Sequence, residues 1–597
     1  LENLEANEEI YIQPADNSAK PFNLTMHPSQ DYNPVFSLDG SKLGFISSRN
    51  NDNSDIWFVW LKQKDWEKTK QDWDEAEDES PKKESKKGKD SVKTEPVVID
   101  FENIRDRFVQ VTALPGNESD LAISKDGKTF YYVTNRNSRY TYKADQDLYS
   151  VKWDGKDIKQ LTSNNARPSG VSLDPTGKYL FMIKQRGSLS KLDLSSSKEE
   201  ALPFSAEMKI DVVAEKKQMF DEAWRVINQT FYDPKFHGNN WKELREKYEP
   251  IALIASTDED FRDVINMMMG ELNASHMGIY GPNNIDLQRE NTGLLGVEIT
   301  PLKNGVKVEY VIPQSPADKT ESKLQKGDII TSVNGVEIDE NANFYSLFTN
   351  TADKQVYLNV KNEKGENREV VIRPTNSLRD LLYKDWVTSR QKLVEKYSNG
   401  KLGYIHIQGM DWQSFERFES ELSEQGEGKD GLIIDVRYNG GGWTTDFLLN
   451  ILTVKQHAYT IPRGATDDLK NKDDFKDVYA YSERLPFPAW TKPTITMCNS
   501  CSYSNAEIFS HAYKTLNLGK LVGTPTFGAV ISTGAYTLID GSLIRTPGRA
   551  WFSKSTDKNM ENNAAIPDFI VDNPQDYRVK EDLQLKKAVE ELLKEAK

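Results

Sequence analysis

The stretch GLIIDVRYNGGG, residues 431–442, decides how the C-terminal part of the chain folds. Its first half is apolar except for Asp435, which is the pattern of a strand buried on both faces of a sheet. Its second half ends in three successive glycines, whose backbone N–H groups can face a reacting oxygen. Strand-like and helix-like segments alternate over residues 377–597, so we predict an α/β domain around this buried strand.

Ser504 lies further along the chain in CNSCSYSNAEIF, residues 498–509, between a strand-like stretch and a helix-like one. A serine exposed at a strand-to-helix turn can act as a nucleophile. Together with the glycine turn it suggests acyl transfer, most simply peptide hydrolysis. The carboxylate of Glu507, placed in the first turn of the predicted helix, is expected to favour the helix start through its charge. Asp435 and Arg437 are expected to form a structural ion pair.

Length, charge and cysteine content limit the class of protein. At 597 residues the chain is too long for one core, so several domains are expected. A net charge of −15 argues against nucleic acid or an anionic membrane as the main partner. Cys498 and Cys501 are the only cysteines, and a lone pair predicts structural thiols or one local disulfide rather than a zinc or redox site. We therefore predict no metal and no cofactor.

The termini and the hydropathy pattern bear on location. No stretch of about twenty apolar residues is present, so no transmembrane helix is expected. The chain begins at Leu1 without an initiator Met or an apolar signal core, which fits either a processed protein or a fragment. A periplasmic or exported location is favoured over a cytoplasmic one.

Residues 1–211 contain a repeated pattern of a strand, a turn with glycine and an apolar returning strand. Copies lie at 33–49, 121–133 and 171–181, and the Asp-Gly pairs of the first two predict tight hairpin turns. The copies resemble TolB-like propeller repeats, which predicts a partial or atypical β-propeller. Residues 61–95 are charged and poor in apolar side chains, so we predict a solvated insertion there.

Residues 212–290 change to a helical period. An apolar face that includes Phe220 and Ile227 predicts one helix, and residues 256–259 predict a capping box that opens a second. A loop with Ser275 and His276 follows. His276 is one of six histidines, and the residues alone do not single it out as the base that would activate Ser504.

Residues 291–376 carry the motifs GLLG and LQKGDIITSVNG. These motifs resemble a PDZ domain, a module that adds an extended peptide to a sheet edge. The resemblance implies a loop that binds a peptide carboxylate, made of Gly293, Leu294, Leu295 and Gly296. A PDZ domain that serves only as a spacer is the alternative.

The order of Ser275-His276, PDZ motifs, Asn-Gly-Gly-Gly and Ser-x-Ser-Asn-Ala-Glu resembles the C-terminal processing peptidases of the S41 type over residues 212–597. The propeller-like repeats extend the likeness to their tricorn relatives. This resemblance implies a crotonase-like, processing-peptidase core in the α/β domain. Processing peptidases generally use a Ser–Lys dyad, but Ala529 stands at the matching lysine position, so a lysine base is absent.

The tricorn branch uses a Ser-His-Ser-Glu tetrad instead, and the resemblance carries it onto this chain residue by residue. Ser504 would be the nucleophile and His276 the base, while Ser275 and Glu561 would orient the ring. Backbone N–H groups of Gly441 and Asn505 would form the oxyanion hole. Peptides or unfolded proteins are the implied substrates, and a homo-oligomer is the implied assembly.

Two other functions stay open. The hydrolase domain could be inactive, so that the chain would act as a propeller and PDZ scaffold that binds peptides. An esterase using the same serine is disfavoured, because the chain lacks a Gly-x-Ser-x-Gly elbow at Ser504.

Overall fold

The computed structural model describes residues 8–50, 53–68, 72–73, 97–114, 116–135, 146–184, 187–282, 288–461, 463–468, 470, 475, 488–574 and 581–596. The chain divides into two compact units, Leu1–Met208 and Lys209–Lys597. Most of the charged insertion predicted at 61–95 lies outside the described residues, which include the short helix α1 (Gln63–Trp66) at its start.

The first unit contains three successive four-stranded antiparallel sheets and a two-stranded one. The short pair is β1 (Tyr11–Ile12) and β2 (Phe22–Asn23). The first four-stranded sheet comprises β3 (Asp31–Phe36), β4 (Lys42–Asn50), β5 (Asn53–Trp60) and β6 (Phe108–Gln110). The second comprises β7 (Glu118–Ile123), β8 (Thr129–Thr134), β9 (Asp147–Lys152) and β10 (Lys159–Gln160). The third comprises β11 (Ser169–Leu173), β12 (Tyr179–Ile183), β13 (Leu189–Asp193) and β14 (Lys198–Ala201).

Each predicted sequence repeat forms the first hairpin of one of these sheets. Gly40, Gly127 and Gly177 have φ values of 66°, 67° and 77° at the three hairpin turns, a left-handed conformation that glycine adopts without strain. Buried aromatic side chains such as Phe58 and Phe130 pack the sheets together. The repeated sheets fit a propeller-like region.

The second unit begins with three helices: α2 (Val212–Thr230), α3 (Trp241–Leu253) and α4 (Asp258–Gly270). The predicted apolar face of α2 is buried. Helix α4 begins in the predicted stretch, but its N-cap is Thr257, which accepts the N–H of Asp260, rather than a capping box of Ser256 and Glu259. Helix α3 lies between them and was not predicted. Its apolar positions are widely spaced among charged residues and Pro250 interrupts its last turn, which weakens the periodic signal.

A six-stranded antiparallel sheet follows, as the PDZ motifs predict. Its strands are β16 (Val297–Leu302), β17 (Gly305–Val311), β18 (Ile329–Val333), β19 (Val336–Glu337), β20 (Val356–Lys361) and β21 (Asn367–Ile372). Buried aliphatic and aromatic side chains, among them Val308, Ile330 and Phe348, form its core.

The remainder is the predicted α/β domain, built on a five-stranded parallel sheet. Its strands, in order across the sheet, are β22 (Leu402–His406), β23 (Gly431–Asp435), β24 (Thr494–Cys498), β25 (Leu521–Gly523) and β28 (Phe569–Ile570). Its helices are α5 (Arg379–Ser398), α6 (Trp412–Gly426), α7 (Thr445–Leu452), α8 (Asn505–Thr515) and α9 (Leu583–Glu595). Across the described part of the chain, no helix combines the length and the apolarity needed to cross a bilayer.

A separate three-stranded antiparallel sheet joins the helical segment to the α/β domain. It consists of β15 (Gly278–Tyr280), β27 (Leu543–Ala550) and β26 (Ile531–Thr537), with β27 in the middle. Gly278 pairs with Arg545, and Ile279 pairs with Ile544. Because β15 begins two residues after His276, this sheet anchors the histidine loop to the domain that carries Ser504.

A buried ionic network ties the C-terminal helix to the central sheet. Arg437 donates to Asp435 at 2.7 Å and to Asp582 at 3.1 Å, and all three side chains are fully buried. Arg390 from α5 also contacts Asp582, whose carboxylate caps α9 by accepting the N–H of Leu585. The predicted ion pair of Asp435 and Arg437 is therefore confirmed as part of a larger network.

Removal of one member of this network is expected to destabilise the second unit. In Asp582→Ala, Arg437 and Arg390 would lose a buried counter-charge and α9 would lose its cap, so unfolding free energy should fall by about 3–5 kcal/mol. Denaturant unfolding followed by tryptophan fluorescence measures the change. The control is Glu581→Ala, an exposed neighbour whose loss should cost no more than about 0.5 kcal/mol. Equal losses in the two variants would contradict a role for the network.

Candidate active site

Ser504 lies in the turn that leaves the carboxyl end of β24 and begins α8. Its φ and ψ are 57° and −119°, a conformation that a residue with a side chain adopts at a cost of about 1–3 kcal/mol. The glycine turn leaves the carboxyl end of the adjacent strand β23, and Tyr503 donates its N–H to Asn439 O at 2.9 Å. The parallel sheet thus brings the predicted nucleophile and the glycine turn together.

Gly441 packs directly against Ser504. Its φ is +91°, and a Cβ built on it would lie 2.6 Å from Ser504 Cβ and 2.9 Å from the Asn505 nitrogen. A side chain at this position would therefore collide with the nucleophile and with the start of α8.

The backbone N–H of Gly441 donates to Asn439 Oδ1 at 2.9 Å. This hydrogen bond conflicts with the predicted role of that N–H as an oxyanion donor, because a donor already paired to a buried amide is not directed into the site. The N–H groups of Gly442 and Asn505 have no protein acceptor among the residues that the structure describes. Sequence reasoning could not separate the glycines, because their N–H directions depend on the turn geometry.

The carboxylate of Glu507 holds the nucleophile turn in place. It is fully buried and accepts the N–H of Ser504 at 3.1 Å and that of Ala529 at 2.8 Å. Thr526 Oγ1 and the N–H of Gly528 also donate to it. Burial raises the pKa of Glu507, while these hydrogen bonds act in the opposite direction. The sequence predicted its effect on the helix start, but not its contacts with residues 526–529.

His276 lies beside the nucleophile turn, in contact with Tyr503. Its φ is 59°, and its ring centroid lies 4.9 Å from that of Tyr503. Nε2 is buried and has no hydrogen-bond partner within the described chain. Burial lowers the pKa of His276 below 6.5, the nearby Arg545 lowers it further, and a hydrogen bond with the Ala529 backbone opposes them. The imidazole is therefore neutral near pH 7, and its Nε2 has no hydrogen-bond partner in the described residues.

Ser275, the residue before His276, is hydrogen-bonded to Glu561. Ser275 donates its N–H to Glu561 Oε1 at 2.7 Å and its hydroxyl to Oε2 at 2.9 Å. The N–H of Val530 also donates to Oε2, at 2.8 Å, and Glu561 is buried. The carboxylate thus fixes the backbone of the residue that immediately precedes His276.

A cavity of 570 Å³ joins these groups. Four of the residues predicted for the site line it: Ser504, His276, Gly441 and Asn505. Arg545 and Trp443 line it as well, although neither was predicted as a site residue. Ser275 and Glu561 line another cavity, of 400 Å³. Their hydrogen bonds position the backbone next to His276, which lines the first cavity.

The predicted peptide-binding loop of the PDZ domain lies outside this cavity. Gly293 donates its N–H to Phe348 O, and Leu294 donates its N–H to Thr375 O. These bonds conflict with the predicted capture of a carboxylate by those two N–H groups. The N–H groups of Leu295 and Gly296 have no acceptor in the described part of the chain.

Two other histidines and the two cysteines occupy structural positions. His406 is buried in β22, where its Nε2 contacts Arg437 O. His511 lies on α8, and its Nε2 contacts Asn563 O. Cys498 and Cys501 are both free, so the alternative of a local disulfide is not formed in this structure. Burial raises the pKa of the Cys498 thiol, which makes it unreactive.

The close packing of Gly441 generates a prediction. Gly441→Ala should lower the unfolding free energy by at least about 1–2 kcal/mol and slow the reaction of Ser504 with a serine-directed phosphonate, because the new Cβ meets Ser504. Gly440→Ala is the matched control, since a Cβ there has no neighbour within 4 Å. Thermal unfolding and mass-spectrometric labelling measure both effects. Equal labelling of the two variants would contradict the packing argument.

Three family models of known proteins match parts of this chain. The family model for peptidase family S41 matches residues 401–571, which include β22 to β28 and Ser504. The model for the tricorn protease C1 domain matches residues 212–270, and that for the tricorn protease PDZ domain matches 293–377.

Whole proteins give the same assignment. The chain is 25% identical over 604 residues to the tricorn protease of Thermoplasma volcanium, covering 96% of this chain and 55% of that protein. It is 27% identical over 521 residues to a tricorn protease homolog of Saccharolobus solfataricus, covering 83% of this chain and 46% of that protein. A crystal structure of the tricorn protease shares the fold, with a TM-score of 0.76 at 21% identity over 98% of this chain and 57% of its own.

The chain spans about half the length of these relatives. The three domain matches follow one another in the order that the Ser-His, PDZ and serine motifs predicted. Over these three domains the chain is similar to the tricorn-type proteases of peptidase family S41.

Proposed function

We propose that this protein is a serine peptidase that hydrolyses unfolded polypeptides or oligopeptides, with Ser504 as nucleophile and His276 as general base. One observation carries the proposal: Ser504, a neutral and unpaired His276 nitrogen, and the glycine turn line the same cavity. The family assignment supports it.

The proton transfers follow from the state of His276. The neutral imidazole takes the Ser504 proton as the hydroxyl attacks the peptide carbonyl, and then delivers it to the leaving amine. The carboxylate of Glu561, which holds Ser275 next to His276 in the chain, would stabilise the imidazolium that forms between these steps. Ala529 needs no side-chain function in this mechanism, since the lysine that would stand there is replaced by the histidine.

The oxyanion would be stabilised by backbone donors at the start of α8 and in the glycine turn. Asn505 is retained from the sequence prediction, and Gly442 is proposed in place of Gly441, because the N–H groups of Asn505 and Gly442 have no acceptor in the described residues whereas that of Gly441 is paired with Asn439. Loss of one such donor typically slows catalysis by about 10²–10³.

An extended substrate fits the strand beside the cavity. β26 is an edge strand, and its residues Ile531, Ser532 and Thr533 line the cavity. Free backbone groups at a sheet edge bind extended peptides by adding a strand. Closure of the N-terminal sheets into a propeller, assembly into a homo-oligomer and an exported location are further parts of the proposal.

The inactive scaffold is less favoured, because the arrangement retains the four side chains that the tetrad requires. It predicts binding of peptides without turnover and without labelling of Ser504, so activity measurements separate the two functions.

The central prediction concerns the two reacting side chains. Ser504→Ala and His276→Ala should each lower kcat/KM on an unstructured fluorogenic peptide by about 10⁴–10⁶, since either change removes the proton-coupled attack. His511→Ala is the control, because this histidine lies on the helix that follows the nucleophile turn but does not line the cavity. Full activity of His276→Ala would show that the base is misassigned, and an inert native protein would support the scaffold.

The acid side of the pH profile gives an independent prediction. The base must be neutral to accept a proton, and the pKa of His276 is held below 6.5 by burial and by Arg545. Activity should therefore persist as the pH falls through 6.5 and be lost only at lower pH. The measurement is kcat/KM against pH for a peptide without titratable side chains. A midpoint above 6.5 on the acid side would contradict the assignment.

A further inference from the structure

Arg545 brings a positive charge into the catalytic cavity. It lies in the middle of β27, with Gly278 of β15 and Ala535 of β26 as its cross-strand neighbours. Both neighbours are small, which leaves space for a long side chain on this sheet. The half-buried guanidinium donates to Thr533 Oγ1 at 2.6 Å, and both residues line the cavity of Ser504 and His276.

No protein carboxylate neutralises this charge within the described chain. None of the ion pairs there involves Arg545, although Asp446 lines the same cavity and is exposed. The contact with Thr533 uses one nitrogen of a group that has five N–H donors arranged to grip a carboxylate. An arginine placed only for structure would usually be paired, whereas this one keeps donors available beside the reacting groups.

The charge is also close enough to act on the catalytic residues. Arg545 lowers the pKa of both His276 and Tyr503, whose ring centroids lie 4.9 Å apart. A cation that weakens the base carries a cost for catalysis, and a bound anion would remove that cost.

We propose that Arg545 is a specificity residue that binds a carboxylate of the substrate. The carboxylate is either an acidic side chain near the scissile bond or the free C-terminus of a short peptide. This inference rests on the proposed peptidase function and names the substrate class of the same site. The protein itself has a net charge of −15, which would repel negatively charged peptides. A preference for peptides with an acidic side chain or a free C-terminus would therefore come from the local cation and not from the overall charge.

The test uses pairs of fluorogenic peptides that differ by one charge. One series replaces Gln by Glu at successive positions around the cleavage site, and the other compares a free C-terminus with an amide. The native protein should cleave the carboxylate member of at least one pair about ten- to a hundredfold better in kcat/KM. The series that shows the preference identifies the source of the carboxylate.

Three variants separate the guanidinium from the fold. Arg545→Gln should abolish the preference, chiefly through KM, so that the variant no longer distinguishes the two members of each pair. Arg545→Lys should keep part of the preference, because the charge remains without the bidentate geometry. Arg549→Gln is the matched control: this exposed arginine lies on the same strand but does not line the cavity, so its loss should leave the preference intact.

Binding decides the inference independently of turnover. Anisotropy measured on the Ser504→Ala variant, with and without Arg545→Gln, should show the same preference for the carboxylate peptides. Cleavage or binding that does not distinguish the members of any pair, or a preference that survives Arg545→Gln, would overturn the role of Arg545. A native protein that binds with this preference but hydrolyses nothing would instead overturn the proposed peptidase function.

Discussion

Two buried carboxylates on either side of one short segment hold the site together. Glu507 accepts the N–H groups of Gly528 and Ala529, and Glu561 accepts that of Val530. Each carboxylate also binds one side of the proposed catalytic pair: Glu507 accepts the N–H of Ser504, and Glu561 accepts the N–H and the hydroxyl of Ser275, which precedes His276. The segment 528–530 is therefore the rigid link between the nucleophile turn and the histidine loop, which come from distant parts of the chain.

This arrangement explains how two strained turns persist. Ser504 and His276 both have positive φ values, 57° and 59°, which side chains rarely adopt. Hydrogen bonds to a charged acceptor are stronger than those between neutral groups, and several of them converge here on buried oxygens. Neither Glu507 nor Glu561 forms an ion pair within the described residues, so backbone dipoles and hydroxyls satisfy both charges.

Away from the cavity, buried ion pairs hold the central sheet in place. Arg437, Asp435 and Asp582 form a fully buried ionic network at the carboxyl end of β23, and His406 contacts it through the carbonyl of Arg437. The network fixes the end of β23 from which the glycine turn emerges. Charge is thus used in two ways: it is paired in this buried network, and it is incompletely paired at Arg545, which lines the cavity.

The sequence by itself determined the buried strand, the serine turn, the capped helix at Thr257 and the repeated hairpins, because these depend on local periodicity and turn chemistry. Resemblance to a family paired Ser275 with Glu561, a contact across 286 residues that no local pattern encodes. Only the tertiary structure decided that the Gly441 N–H belongs to Asn439, that Glu507 binds residues 526–529, and that Arg545 enters the cavity. The physical reason is that a hydrogen bond requires its donor and acceptor to lie within about 3 Å at a favourable angle, which only the packed chain defines.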